Sequence, residues 1–169
     1  MAEPRRNGTP LRVIFVCWGN ICRSPIAERV AVREAAEAGL SDVQFTSAGT
    51  SSEELGNPMD ERAASVLRRH GYSSEDHVAH QISADELADA DLVVAMEDLH
   101  VLRLRRLDPD ARNISLLSDF DPDAEPGSGL PDPWYGPDSA FTDTLAAVEA
   151  AMPGVLDRVR QLQAEAVSG

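Results

Sequence analysis

The sequence predicts an α/β fold: a three-layer sandwich in which helices flank both faces of a four-stranded, twisted parallel sheet, with a short strand-to-helix loop after the first strand. Three observations carry this expectation. Short apolar runs alternate with segments of helical period, which favours parallel strands joined by right-handed crossovers. Asp91–Met96 (D-L-V-V-A-M) contains an unbroken apolar run, as a strand covered on both faces requires. The run Leu11–Val16 ends at Cys17, just before a short loop and the helix-starting pair Ser24-Pro25.

Each element follows in order. Leu11–Val16 (L-R-V-I-F-V) reads as the first strand. Pro25 is expected at the first helical position, where its missing N–H costs little. The helix after it places Ile26, Val30 and Ala31 on one face, turns Arg33 and Glu34 away, and stops at Gly39. Val43–Ser47 alternates and predicts the second strand. A second helix is predicted from Asn57-Pro58 through His70, ended by Gly71. Ser83 and Glu86 form the capping box of a short helix. Asp91–Met96 is the third strand, Leu99–Leu107 a basic amphipathic helix and Asn113–Leu117 the fourth strand. Ser118–Ser139 is too rich in Asp, Pro and Gly for regular structure, and a loop of that length is functional or disordered. The last helix is predicted from about Ala140 towards Ala166, bent or interrupted at Pro153.

Composition narrows the function. The 169 residues suit one domain, expected over 11–169 after a disordered leader at 1–10 that lacks the apolar segment of a secretion signal. No apolar stretch approaches the roughly 18 residues of a membrane span, so a cytoplasmic location is expected. With 29 acidic against 15 basic residues the formal net charge is −14, which argues against nucleic acid and anionic membranes as partners. A phosphate entering such a chain needs strong local attraction. Cys17 and Cys22 are the two cysteines, too few and too close for a disulfide scaffold and without metal-ligand spacing. They point to reactivity.

The chemistry concentrates between Cys17 and Arg23. A strand-to-helix loop of five residues can turn its N–H groups inward as an anion nest closed by a helix N-terminus, and a thiol placed there ionises readily. Arg23 offers a planar fork for two phosphoryl oxygens, which lysine matches poorly. Gly19 is expected to take backbone angles other residues resist, and Asn20 tolerates left-handed geometry while bracing the loop. Ser24 either donates to the cysteine sulfur or simply caps the helix. Cys17 itself has a bland alternative, an inert cysteine ending a strand. Neither a Walker A loop nor a dinucleotide fingerprint is present. Cleaving a phosphate ester requires a proton for the departing oxygen. In L-P-D-P-W-Y-G (Leu130–Gly136), Asp132 stands between prolines and before Trp134 and Tyr135, which can wall a pocket for a flat side chain. Asp119, Asp121 and Asp123 compete for the role but lack flanking aromatics, and an ordinary acidic surface loop is the plain alternative.

These residues resemble the low-molecular-weight protein tyrosine phosphatases of bacterial type, over essentially the whole chain after the leader. The resemblance rests on V-C-W-G-N-I-C-R-S-P (Val16–Pro25), S-A-G-T (Ser47–Thr50), G-N-P (Gly56–Pro58) and D-P-W-Y-G (Asp132–Gly136). It implies hydrolysis of protein phosphotyrosine and small aryl phosphates through a cysteinyl-phosphate, with Cys17 as nucleophile, Arg23 binding phosphate, and Asp132 as general acid and then base. Trp18, Gly19, Asn20, Ile21, Cys22, Ser24, Trp134 and Tyr135 would contact substrate, and Asn20, Ser24, Ser47 and His77 would form a supporting network. No metal or organic cofactor is implied. His77 and His80 are spaced like a ligand pair but have no evident third ligand. The implied partners are phosphotyrosine proteins, with inorganic phosphate as product and inhibitor. Cys22 is similar to a second loop cysteine that pairs with the nucleophile on oxidation; otherwise it packs the loop. Trp18 departs from the family's smaller residues and would line the mouth of the site, unless it merely packs. Three rival functions stand beside this one. Phosphoarginine hydrolysis belongs to relatives that tend to carry threonine where Ile21 stands. Arsenate reduction needs a relay of further cysteines. Phosphoprotein binding without catalysis needs neither nucleophile nor proton donor.

Overall fold

Period-two alternation along the first strand decides which face each side chain serves. Leu11, Val13, Phe15 and Cys17 point into one apolar cluster, and Ile14 and Val16 into another on the opposite face. The computed structural model describes residues 9–168; residues 1–8 of the expected leader lie outside it. Strand β1 (Leu11–Cys17) pairs in parallel with β2 (Val43–Gly49) on one side and β3 (Leu92–Ala95) on the other, and β3 with β4 (Ile114–Leu116). The strand order is β2-β1-β3-β4. The chain therefore steps outward from β1 in one direction, then crosses back to the other. In open parallel sheets the crevice at such a reversal is where ligands bind, at the carboxyl ends of the strands. Cys17 sits at that end, opposite Gly49.

Helices α1 (Arg23–Glu37), α2 (Glu61–Arg69) and α5 (Asp138–Ser168) cover the Phe15 face; α3 (Ala84–Asp89) and α4 (Asp98–Leu107) cover the Val16 face. In α1, Ile26, Ala27, Val30, Ala31 and Ala35 are buried at helical spacing, and the chain leaves the helix at Gly39 with φ 69°. Ser83 and Glu86 form the expected capping box. The continuous apolar run of β3 is buried throughout, as two-sided coverage demands.

Several boundaries differ from the sequence expectation, each for a local reason. Helix α1 begins at Arg23, with Cys22 as its N-cap residue, so Pro25 is the third helical residue. The first turn has no intrahelical acceptors for its N–H groups, and proline is tolerated there too. Helix α2 starts after Asp60, whose side chain accepts the Arg62 N–H; Asn57-Pro58 precedes the helix, with Asn57 bonded to Glu54. Strand β2 runs on through Gly49, two residues beyond the expected end. The Asp-rich segment does carry regular pieces: 3-10 turns at Leu117–Phe120 and Pro133–Tyr135. Helix α5 runs uninterrupted past Pro153, which lies on its exposed side, while Gly154 packs so closely on Phe120 that a Cβ there would meet the Phe120 carbonyl at 2.5 Å. No helix of the described residues is long and apolar enough to cross a membrane.

Candidate active site

The loop after β1 is pinned at both ends. Thr50 N–H bonds the Cys17 carbonyl and Ser51 N–H the Trp18 carbonyl, while Asp60 N–H bonds the Ile21 carbonyl. Among the described residues, the N–H groups of Gly19, Asn20, Ile21 and Cys22 donate to no protein acceptor. Amides without a protein acceptor need another partner, and these lie in the loop between Cys17 and the start of α1. An oxyanion satisfies them. The left-handed residue that lets the loop turn back is Asn20, at φ 62°. Gly19 is not left-handed, contrary to expectation; its bare Cα makes room for Glu54, whose Cγ would lie 3.1 Å from an added Cβ. The glycine that presses closest on the loop is Gly49, where a Cβ would lie 2.8 Å from the Trp18 carbonyl and 3.2 Å from Asn20 N.

Asn20 is buried, and both ends of its side-chain amide are bonded. Its Nδ2 donates to Ser24 Oγ at 2.9 Å and to Ser47 Oγ at 3.0 Å, and its Oδ1 accepts the His80 N–H at 3.2 Å. Ser47 Oγ donates in turn to Glu28 at 3.0 Å. His77 Nε2 lies 2.6 Å from the Asn20 carbonyl, which can only accept, so Nε2 carries the hydrogen; burial lowers the pKa of the ring while this bond opposes the shift. The residues gathered by resemblance, Asn20, Ser24, Ser47 and His77, thus meet as one network. Because Asn20 donates to Ser24 Oγ, the serine's own proton is left for Cys17 Sγ at 3.0 Å or for the Ala48 carbonyl at 3.4 Å. Ser24 lies inside α1 and is not its N-cap.

Arg23 is almost wholly buried. Its Nη1 donates to the Leu130 carbonyl at 2.8 Å and forms an ion pair with Glu97 at 2.9 Å. The Nε and Nη2 edge remains, the fork that suits two oxygens of one anion. Nη2 lies 3.6 Å from Asp132 Oδ2. Asp132 caps the second 3-10 turn through Oδ1, which accepts the Trp134 N–H at 3.1 Å, so one oxygen orients the carboxylate and the other faces Arg23. Asp119 and Asp121 are occupied with backbone amides of their own loop, and neither they nor Asp123 reaches the cavity.

One cavity of about 390 Å³ collects Cys17, Trp18, Gly19, Ile21, Cys22 and Arg23 at its base, with Asp132, Trp134 and Tyr135 along its wall. Arg62 steadies that wall: it bonds the Trp134 carbonyl at 3.1 Å and stacks 5.2 Å from the indole centroid. Both cysteines are free and buried, and desolvation raises the Cys22 thiol, keeping it protonated. His80 bonds Glu86, so His77 and His80 serve separate partners. Six participants escaped the sequence reading: Gly49, Glu97, Glu28 and the rim residues Glu53, Glu54 and Leu99. A glycine ending a strand beside the reactive loop was the one available signal; a lone acid after a strand gives none.

Fold and site together define a phosphate-handling α/β enzyme with a cysteine at its centre. Residues 12–167 match the family model for low molecular weight phosphotyrosine protein phosphatase. The chain is 45% identical over 152 residues to low molecular weight protein-tyrosine phosphatase A of Mycobacterium tuberculosis, covering 89% of this chain and 92% of that one. It is 44% identical over 155 residues to the low molecular weight protein-tyrosine-phosphatase of Streptomyces coelicolor, covering 89% and 94%. The crystal structure of YfkJ from Bacillus subtilis is similar at a TM-score of 0.84, with 31% identity over 92% of this chain and 98% of that one. The chain belongs to the low molecular weight protein-tyrosine phosphatase family, whose activity proceeds through a cysteine nucleophile.

Proposed function

We propose that this protein hydrolyses phosphotyrosine in proteins, and small aryl phosphates, through a cysteinyl-phosphate. The observation that carries the reading is the set of unpartnered amides in the loop that follows Cys17, with the buried Arg23 guanidinium at the end of the same loop and in the same cavity. The thiolate is the reactive form of cysteine. It attacks phosphorus in line; the ester P–O bond breaks as the S–P bond forms, and Asp132 gives a proton to the departing phenolic oxygen. Amides and guanidinium hold the equatorial oxygens as charge redistributes. A water molecule then attacks phosphorus, losing its proton to Asp132. The S–P bond breaks, Ser24 donates a hydrogen bond to the sulfur that leaves, and inorganic phosphate is released. Trp18, Trp134 and Tyr135 wall the space above the cradle and favour a flat phenyl ring. Residues 11–169 act as one catalytic domain, and two free thiols suit the reducing cytoplasm.

The test is turnover of matched peptides carrying phosphotyrosine, phosphoserine or phosphoarginine. The reading expects strong preference for phosphotyrosine, lost in Cys17→Ser while that variant still binds the peptide. Faster release of phosphate from phosphoarginine would replace it with a different substrate class.

A further inference from the structure

Trp18 follows the nucleophile directly, and it is held from three sides. Its Nε1–H donates to Glu53 Oε2 at 3.0 Å. Its carbonyl accepts both the N–H and the Oγ–H of Ser51, each at 3.0 Å. The guanidinium carbon of Arg103 lies 4.5 Å from the indole centroid. Arg103 is itself fixed, since its Nη2 donates to the Thr50 carbonyl at 3.0 Å, an oxygen that also accepts from Gln81. Trp18 lines the cavity of Cys17, but Arg103 does not; Arg103 lines a separate recess with Thr50, Gln81 and Arg106. The cation therefore backs the ring from outside and leaves its cavity side open.

An indole free to swing at a pocket mouth loses rotamer freedom when a ligand stacks on it, and that loss opposes binding. Here the freedom is removed before substrate arrives. We propose that Arg103 and Glu53 are positioning residues for substrate selection. They fix Trp18 as a preorganised aromatic wall which, with Trp134 in the same cavity, favours aryl phosphates over alkyl phosphates. The proposal rests on the aryl-phosphate reading above and adds to it the two residues that enforce the preference. Neither touches the reacting atoms.

Arg103→Met keeps the aliphatic stem and removes the planar cation; Glu53→Ala removes the acceptor at the ring edge. A cation–π contact of this kind corresponds to about a three- to fivefold change in KM. The expected result is a rise of that size for a phosphotyrosine peptide in Arg103→Met, with kcat within about twofold of wild type. Alkyl phosphate turnover and inhibition by inorganic phosphate stay unchanged, because phosphate meets the cradle and not the indole. Glu53→Ala moves KM in the same direction, and Arg103→Lys recovers part of the loss. A second readout needs no substrate: with Trp134→Phe in both proteins, Trp18 is the one remaining tryptophan, and acrylamide quenches its fluorescence more in Arg103→Met. Unchanged KM or unchanged quenching overturns the clamp, as does weaker phosphate inhibition in step with KM, which marks damage to the cradle. If the wild-type enzyme fails on phosphotyrosine altogether, the functional reading falls, while quenching still decides whether Arg103 holds the ring.

Discussion

Arg23 Nη1 lies 2.9 Å from Glu97 Oε1, and the arginine is 97% buried while the glutamate side chain is one-third exposed. The pair is thus asymmetric: the cation has been taken out of water, and the anion has not. Removing the glutamate's charge leaves the buried guanidinium with only the more distant Asp132 carboxylate, at a cost between the roughly 0–1 kcal/mol of an exposed pair and the roughly 3–5 kcal/mol of a fully buried one. Glu97→Gln is expected to lower thermal stability for this reason. A bound phosphate dianion supplies the missing countercharge, so inorganic phosphate should raise the melting temperature of Glu97→Gln more than that of wild type. Thermal unfolding with and without phosphate measures both. Equal phosphate shifts in the two proteins would mean that Glu97 does not balance Arg23.

Asp132 separates two kinds of leaving group. A phenol or alkanol needs a proton as it departs, whereas a nitrophenol leaves as a stable anion. Asp132→Asn keeps the acceptor for the Trp134 N–H and loses the proton. The expected loss in kcat is about 10²- to 10⁴-fold for a phosphotyrosine peptide, and clearly smaller for nitrophenyl phosphate. Steady-state rates on the two substrates check it; equal losses would remove the aspartate from the acid role.

How far the sequence reached depends on the range of each interaction. Strand, loop, arginine and helix start lie within thirteen residues, so Cys17 and Arg23 were legible from local pattern. Asp132 was legible because its neighbours, two prolines and two aromatics, make a distinctive environment. The network around Asn20 was reached through resemblance alone: its bonds to Ser47 and His77 join β2 and a later loop to the cradle, and nothing local marks them. Glu97 and Arg103 act across the sheet from α1, at contacts that only the strand order creates. Gly19 was misread because glycine has two uses, and here it supplies space for Glu54 while Asn20 supplies the positive φ. The helix starts differ from the Ser24-Pro25 and Asn57-Pro58 pairs because Cys22 and Asp60 take the capping positions.

Gly49 tests how rigidly the cradle is backed. An added methyl would press on three backbone atoms, the Trp18 carbonyl oxygen at 2.8 Å, Gly19 C at 3.1 Å and Asn20 N at 3.2 Å, none of which is the end of a flexible side chain. Overpacking of this sort costs about 1–3 kcal/mol. Gly49→Ala is expected to lose that much stability and at least tenfold in kcat/KM, because the loop that moves carries the amides. Urea unfolding and aryl phosphate kinetics report the two effects separately. Full activity at reduced stability would show that the cradle yields without losing its shape.

His100 links the same region to pH. It is 1% exposed, its Nδ1 accepts the Glu97 N–H at 3.1 Å, and its Nε2 has no partner among the described residues. Burial first, then the nearby charges of Arg23 and Arg103, pull its pKa from 6.5 down to about 3. Well above pH 6.5 the ring is neutral in both folded and unfolded chains and contributes no pH dependence. As pH falls from 6.5 towards 3, the unfolded chain takes up a proton that the folded chain refuses. Stability therefore declines over that window by up to about 1.4 kcal/mol per pH unit from this residue. Asparagine at the position offers an oxygen to the Glu97 amide and does not titrate. The unfolding free energy of His100→Asn is expected to fall less steeply than wild type between pH 7 and pH 5, so that the two curves converge on acidification. Parallel curves from urea titrations at pH 7, 6 and 5 would assign the acid sensitivity to other groups.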